Sequence, residues 1–202
     1  MATKPFSRRK PFRNLKESFL IICEGKNTER FYFESFKLAT ATIKVLPISD
    51  KGGNALLFVE KSLQYIENLQ KKYDNYWLVF DKDENKNDNF NKALELIKIN
   101  DKINAAYSNQ AFEVWFLLHF QYFIYNLDRK NYKYKLTEFL GFEYEKNEKT
   151  SKKLFSILFP KINIAIKNAS EGYSKIGNHQ NPALEESSTT VFKLVEKILK
   201  FM

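Results

Sequence analysis

The chain of 202 residues has one cysteine, Cys23, and two histidines, His119 and His179. A single thiol excludes an internal disulfide framework and a Cys-rich zinc module, and two imidazoles argue against a His-rich metal site. No stretch reaches the ~18 uncharged apolar residues of a membrane span, and no signal-peptide pattern opens the chain, so a cytoplasmic protein with no membrane partner is expected. What the sequence does have is 44% hydrophobic residues, enough for one substantial core.

Positive charge is unevenly spread. The net charge is +9, yet residues 17–128 carry 13 Lys/Arg against 16 Asp/Glu. Residues 1–16 carry six basic residues and no acid, and residues 129–175 carry 11 against five. An acidic body flanked by two basic segments fits an acidic partner held beside carboxylates, with nucleic acid (DNA or RNA) the foremost candidate. A Lys-rich solubilising surface is the plainer reading of the same charge.

Short apolar runs alternate with helical periodicity. Phe19–Cys23 reads as a buried strand closed by Glu24-Gly25. Asn27 or Thr28 is placed to cap a helix bearing Phe31, Tyr32, Phe33 and Phe36. Ile43–Ile48 is a second strand. Gly52-Gly53-Asn54 precedes a helix with Leu56, Val59, Leu63 and Ile66 on its apolar face. Tyr76–Phe80 is a third strand, ending in Asp81-Lys82-Asp83-Glu84. A loop over Asn85–Asn89 leads to a helix marked by Phe90, Ala93, Leu94 and Ile97, and Ile103–Tyr107 is a fourth strand. A helix from Gln110 carries Phe112, Trp115, Phe116, His119, Phe120 and Phe123. Basic helical segments follow at 134–140 and 151–169, the latter interrupted by Pro160, and a last helix begins near Ser187–Thr189. No internal repeat is seen. The expectation is an α/β fold: a Rossmann-like parallel four-stranded sheet flanked by helices, with a helical C-terminal extension. Residues 1–16 form a flexible basic arm, 17–128 the core, 129–186 a basic helical lobe, and 187–202 a helix packing on the core.

Chemistry in such folds sits beyond the carboxyl ends of the strands. Glu24 follows the first strand and Asp81-x-Asp83 the third. If those strands are neighbours the three carboxylates converge, and their repulsion calls for a divalent cation, Mg²⁺ or Mn²⁺ by the hardness of the oxygen ligands. Glu29, in the first helical turn, is a further ligand or base. Lys26 and Lys82 are placed to contact phosphate, as are Arg8, Arg9 and Lys10 of the arm.

This arrangement resembles the Toprim domain of topoisomerases, primases and OLD-type nucleases. More narrowly, Cys23-Glu24-Gly25-Lys26-Asn27-Thr28-Glu29 with Tyr32-Phe33-Glu34, and Val79-Phe80-Asp81-Lys82-Asp83, are similar to the RloB-like family of bacterial abortive-infection proteins. So are Ser108-Asn109, Phe112-Glu113, Trp115 and Leu117–Phe120, and then Asn181-Pro182 with Thr189-Thr190-Val191 and Lys193–Glu196. One departure is that Ala183–Ser187 separate the Asn-Pro from the Ser-Thr-Thr. The resemblance implies a Toprim-like core and a metal-dependent nuclease in phage defence. Glu24, Asp81 and Asp83 would be its metal ligands, Glu29 a further catalytic residue, and an ABC-type ATPase a partner.

Other residues carry weaker claims. Asn109 lies in a family block. Glu113 can reach the metal cluster or pair with a lysine, and His119 suits a hydrogen-bonded core position. Cys23 suits inert packing, Gly52-Gly53 is too short for a phosphate-cradling loop, and aromatic residues among the lysines of 125–145 either stack on bases or pack helices. The competing function classes are a Mg²⁺-dependent endonuclease, a non-catalytic nucleic-acid- or partner-binding subunit, and a dimerisation subunit in which the chain is a homo-oligomer.

Overall fold

The computed structural model describes residues 16–48, 53–122 and 127–202. The arm with Arg8, Arg9 and Lys10, together with Gly52 and Phe123, lies outside the described residues.

Four parallel strands form one sheet: β1 (Glu17–Cys23), β2 (Ala41–Pro47), β3 (Asn75–Asp81) and β4 (Ile103–Ser108), in the order β2-β1-β3-β4. Pairing of β1 with β3 sets Cys23 opposite Val79. Strands buried on both faces read as continuous apolar runs, as Phe19–Cys23 and Tyr76–Phe80 do. Alternate side chains then serve two cores. Leu20, Ile22, Leu78 and Phe80 meet α2 (Ala55–Glu67) and α3 (Asn87–Lys98) on one face. Phe19, Ile21, Cys23, Trp77 and Val79 meet the remaining helices on the other.

Those helices are α1 (Thr28–Glu34), α4 (Glu113–Leu117), α5 (Tyr132–Leu140), α6 (Glu148–Leu158), α7 (Ile162–Ile176) and α8 (Val191–Leu199). The basic helices therefore share a core with α1 and α4. Tyr32 shows how: its ring lies 5.2–5.8 Å from those of Phe33, Phe36, Phe112, Phe116 and Phe155, locking α1 against α4 and α6. Each such pair adds about 0.5–1.5 kcal/mol beyond area burial. No helix among the described residues is long and apolar enough to cross a membrane.

Four local expectations are corrected. Among the described residues, the helix expected from Gln110 onward is only the five residues of α4. Its bonds tighten to the i−3 pattern at His119 and Phe120, and Asn168 Nδ2 donates to the Leu118 carbonyl at 2.8 Å, ending it. In α2 the fully buried side chains are Ala55, Phe58, Val59 and Ser62, with Leu56, Leu63 and Ile66 at the margin, so the apolar face is rotated towards Phe58. The loop after β3 is shorter than expected because α3 starts at Asn87. Asn85 is buried there, its Oδ1 accepting from Ala55 N at 2.7 Å.

The last correction concerns the C-terminal helix, which starts at Val191 and not at 187–189. Ser188–Thr190 are held along the edge of β4 instead. Thr190 N donates to Tyr107 O at 2.9 Å, Thr190 Oγ1 accepts from Tyr107 N at 3.0 Å, and Asn109 N donates to Ser188 O at 2.9 Å. Asn109 Nδ2 also donates to the carbonyls of Pro182 and Ala183, at 3.1 and 3.0 Å. The Asn181 side chain accepts from Asn91 of α3 at 2.8 Å. These polar residues tie the returning chain to the sheet. As expected, Pro160 interrupts the helical region, in a 3-10 turn between α6 and α7.

Candidate active site

In an open parallel sheet the crevice forms where strand order reverses. Here that point lies between β1, whose helix leads outward to β2, and β3, which leads the other way to β4. Glu24 leaves β1 with its N–H donating to Val79 O at 2.9 Å, so it starts beside the end of β3. Beyond β3, Lys82 N donates to Ser108 O at 2.8 Å and Asp83 N to Gln110 O at 2.7 Å, pinning the acidic turn to the end of β4. Asp83 has a left-handed backbone (φ +43°), a conformation that Asp tolerates better than most residues.

A pocket of about 260 Å³ opens there, walled by Glu24, Lys26, Glu29, Asp81, Asp83, Arg129 and Lys146, among others. Glu29 reaches it because Gly25 has no side chain: a Cβ at position 25 would overlap the Glu29 carboxylate. Asn27 does not cap α1 with its side chain. Its Nδ2 instead donates to Lys146 O at 3.4 Å, drawing the segment before α6 across the pocket.

Glu29 and Asp81 are penalised as anions. Burial pushes Glu29 up from 4.5 to about 7, with the charges of Glu113 and Glu24 adding to the rise and Lys146 opposing it. Asp81 is held well above the usual carboxylate range, first by burial and then by Glu29 and Glu113. Its Oδ1 is buried and accepts no hydrogen bond. Asp83 is ion-paired with Arg129. An oxygen-rich, under-neutralised pocket of this kind suits a hard divalent cation in its donor chemistry. Among the described residues, however, no three acidic, imidazole or thiol side chains are gathered closely enough to hold a metal ion. Asp83 would have to exchange Arg129 for it.

The sequence-derived residues divide clearly. Glu24, Glu29, Asp81, Asp83 and Lys26 share the pocket. Glu113 is buried beside it, its Oε1 accepting from Tyr144 OH at 2.8 Å and from Lys146 Nζ at 2.7 Å, and its charge is felt by both Glu29 and Asp81. Lys82 is not on the pocket wall; partial burial lowers its pKa, and the charge it faces is Glu186. Asn109 is a structural tether. His119 is a core residue, its Nδ1 bonded to Trp115 O at 2.9 Å and its pKa lowered to about 4 by burial. Burial likewise pushes the Cys23 thiol up, consistent with inert packing.

Arg129, Tyr144 and Lys146 were not anticipated. They lie in the segment whose positive charge points to an outside acidic partner, and part of that charge is instead directed inward. The +6 carried by residues 129–175 was the available signal.

Gly25→Ala is expected to leave the fold intact while displacing the Glu29 carboxylate. The melting temperature should change by no more than a few degrees, because the clashing group ends a flexible side chain. Any catalysis in which Glu29 serves as a general base should fall at least about 10-fold. Unchanged activity in a folded Gly25→Ala protein would remove Glu29 from the chemistry.

The fold and pocket define an α/β protein with a carboxylate- and cation-lined crevice at the switch point of its sheet. A model of the RloB-like protein family matches residues 19–198, and the chain belongs to that family. No curated protein and no solved structure matches it.

Proposed function

We propose that the protein is a Mg²⁺- or Mn²⁺-dependent endonuclease, with a Toprim-like site, that hydrolyses phosphodiester bonds of nucleic acid in bacterial anti-phage defence. The observation supporting this is the gathering of Glu24, Glu29, Asp81 and Asp83 around one pocket with Arg129, Lys26 and Lys146 on its walls. Glu24, Asp81 and Asp83 would hold the cation once their side chains draw closer and Asp83 releases Arg129. When bound, such a cation neutralises phosphate charge and lowers the pKa of a water. Glu29, titrating near 7, is suited to take the proton from a water as its oxygen attacks phosphorus and the bond to the leaving oxygen breaks. Arg129 and Lys146 would offset charge on the phosphate. An ABC-type ATPase partner, implied by the family resemblance, would supply control.

A second reading, a non-catalytic nucleic-acid- or partner-binding subunit, is favoured by the Arg129–Asp83 and Lys146–Glu113 pairs, which already place internal cations among the carboxylates. Incubating purified protein with plasmid, single-stranded DNA and total RNA, with and without Mg²⁺ or Mn²⁺, separates the two. The nuclease reading expects metal-dependent cleavage that Asp81→Asn lowers by about 100-fold or more, the scale of losing one electrostatic stabiliser. Equal cleavage by wild type and Asp81→Asn, or none with any substrate, would overturn it.

A further inference from the structure

The aromatic residues scattered among the lysines beyond Asp128 do not share one environment. Tyr132 and Tyr144 are buried, and Phe139 packs against the core. Phe142 is half-buried with the Lys153 ammonium 3.6 Å from its ring centre. Tyr134 differs from all of these: it is 69% exposed, the only aromatic among the exposed large hydrophobic residues described.

Its neighbours are cationic. Arg129-Lys130-Asn131-Tyr132-Lys133-Tyr134-Lys135 holds four positive charges and no acid. Tyr134 follows Lys130 by four residues, the chain passing from a 3-10 turn over Arg129–Asn131 into the first turn of α5. Lys130 lines a groove of about 490 Å³ together with Asp83, Glu84, Gln110, Asp128 and Arg129. Asp83 and Arg129 also wall the carboxylate pocket, so the two spaces adjoin. On the other side, Lys133 shares a smaller hollow with Arg129 and Lys146. Lys133 is paired with Glu143 at 2.8 Å and Lys135 with Glu138 at 3.2 Å. Both pairs are at the surface, where exchange of a carboxylate for a phosphate costs little.

We infer that this strip is a binding surface for a single nucleic-acid strand, whose backbone follows Arg129 and Lys130 out of the pocket while one base stacks on Tyr134. The inference rests on the nucleic-acid reading of the pocket and narrows it to a substrate class. A cationic track with a solvent-facing ring is the arrangement that holds unpaired strands, because every base offers a π-face. Depth argues in the same direction. Glu29 is 8% exposed and Asp81 Oδ1 is buried, so a phosphodiester must bend inward to reach them. A stiff duplex presents its phosphates on a cylinder and its bases stacked inside, and must open before either contact forms.

The test is fluorescence anisotropy in EDTA, so that nothing is cleaved, with a labelled oligo-dT, an oligo-U and a DNA duplex of equal length. Tyr134→Ala should weaken binding of both single strands by about 5- to 150-fold, the range for losing one stacked base, while duplex affinity stays put. Tyr134→Phe should bind within about 2-fold of wild type, since the ring and not the hydroxyl stacks. Lys130→Gln should make the dependence of log K on log salt shallower by about 0.7. Binding read in EDTA separates the two readings: strand binding lost in Tyr134→Ala but kept in Tyr134→Phe supports the surface even if no metal-dependent cleavage is found. Wild-type strand binding that Tyr134→Ala leaves unchanged would overturn the inference and assign the ring to another kind of partner. So would a preference of the wild type for duplex.

Discussion

Addition of Mn²⁺ or Mg²⁺ to the purified protein should raise its melting temperature by about 5–10 °C, and Asp81→Asn should abolish the rise. The size follows from linkage. A ligand at about 100 times its Kd, bound by the native state alone, stabilises by about 2.7 kcal/mol. For a domain of this size each kcal/mol is worth about 2–4 °C. The mechanism is relief of the repulsion among Glu24, Glu29, Asp81 and Glu113, which Lys146 only partly offsets. Asp81→Asn replaces a carboxyl whose ionisation is penalised by burial and by Glu29 and Glu113, so its metal-free form should melt at or above the wild-type temperature. Differential scanning fluorimetry with and without EDTA reads both effects. An equal metal-induced shift in the two proteins would place the cation elsewhere.

The second large effect is in the pH dependence of stability, where two buried groups act in opposite directions. Glu29 has its pKa raised from 4.5 to about 7 on folding. The folded state therefore keeps a proton that the unfolded chain releases, and stability falls as pH rises from about 4.5 to about 7. His119 has its pKa lowered from 6.5 to about 4, so the unfolded chain binds the proton, and stability rises between about pH 4 and 6.5. Each contribution is on the order of 3 kcal/mol, and over their shared window they offset one another. Metal-free wild type should thus lose stability from pH 4.5 to 6.5, because Asp81, also raised by burial, adds a second decline and His119 offsets only one of the two. Glu29→Gln should remove one of the two declines, so that relative to wild type its stability gains on the order of 2–3 kcal/mol between pH 4.5 and 6.5. Urea unfolding midpoints at four pH values provide the measurement. Superimposable profiles for wild type and Glu29→Gln would mean that the Glu29 carboxyl is not held protonated by the fold.

The sheet was legible in the sequence because strands buried on both faces must be apolar throughout, and runs such as Phe19–Cys23 and Tyr76–Phe80 have few other uses. The carboxylate pocket was legible for a related reason: Glu24 and Asp81 follow those runs directly, so placing the strands places the acids. Residues fixed by long-range packing were not legible. Glu113 sits on a segment buried on all sides, where periodicity carries no direction, and its partners Tyr144 and Lys146 lie more than 30 residues away. Arg129 is one cation among many in its segment, and only the closure of that segment over the sheet distinguishes it. The start of α8 was misplaced because Ser187–Thr189 have the composition of a helix cap, whereas Thr189 and Thr190 use their hydroxyls on β4.

That last contact has a consequence in time. β4 is the outer strand of the sheet, and its free side is covered by a stretch of chain that bonds to it across a separation of about 80 residues. A chain made from its N-terminus at about 5–20 residues per second completes β4 several seconds before the covering stretch exists. During that interval the growing protein displays an uncovered row of backbone donors and acceptors, the kind of edge that another nascent copy can pair with. The two threonines thus act as a late clasp: they decide when the polypeptide stops being a template for its own neighbours.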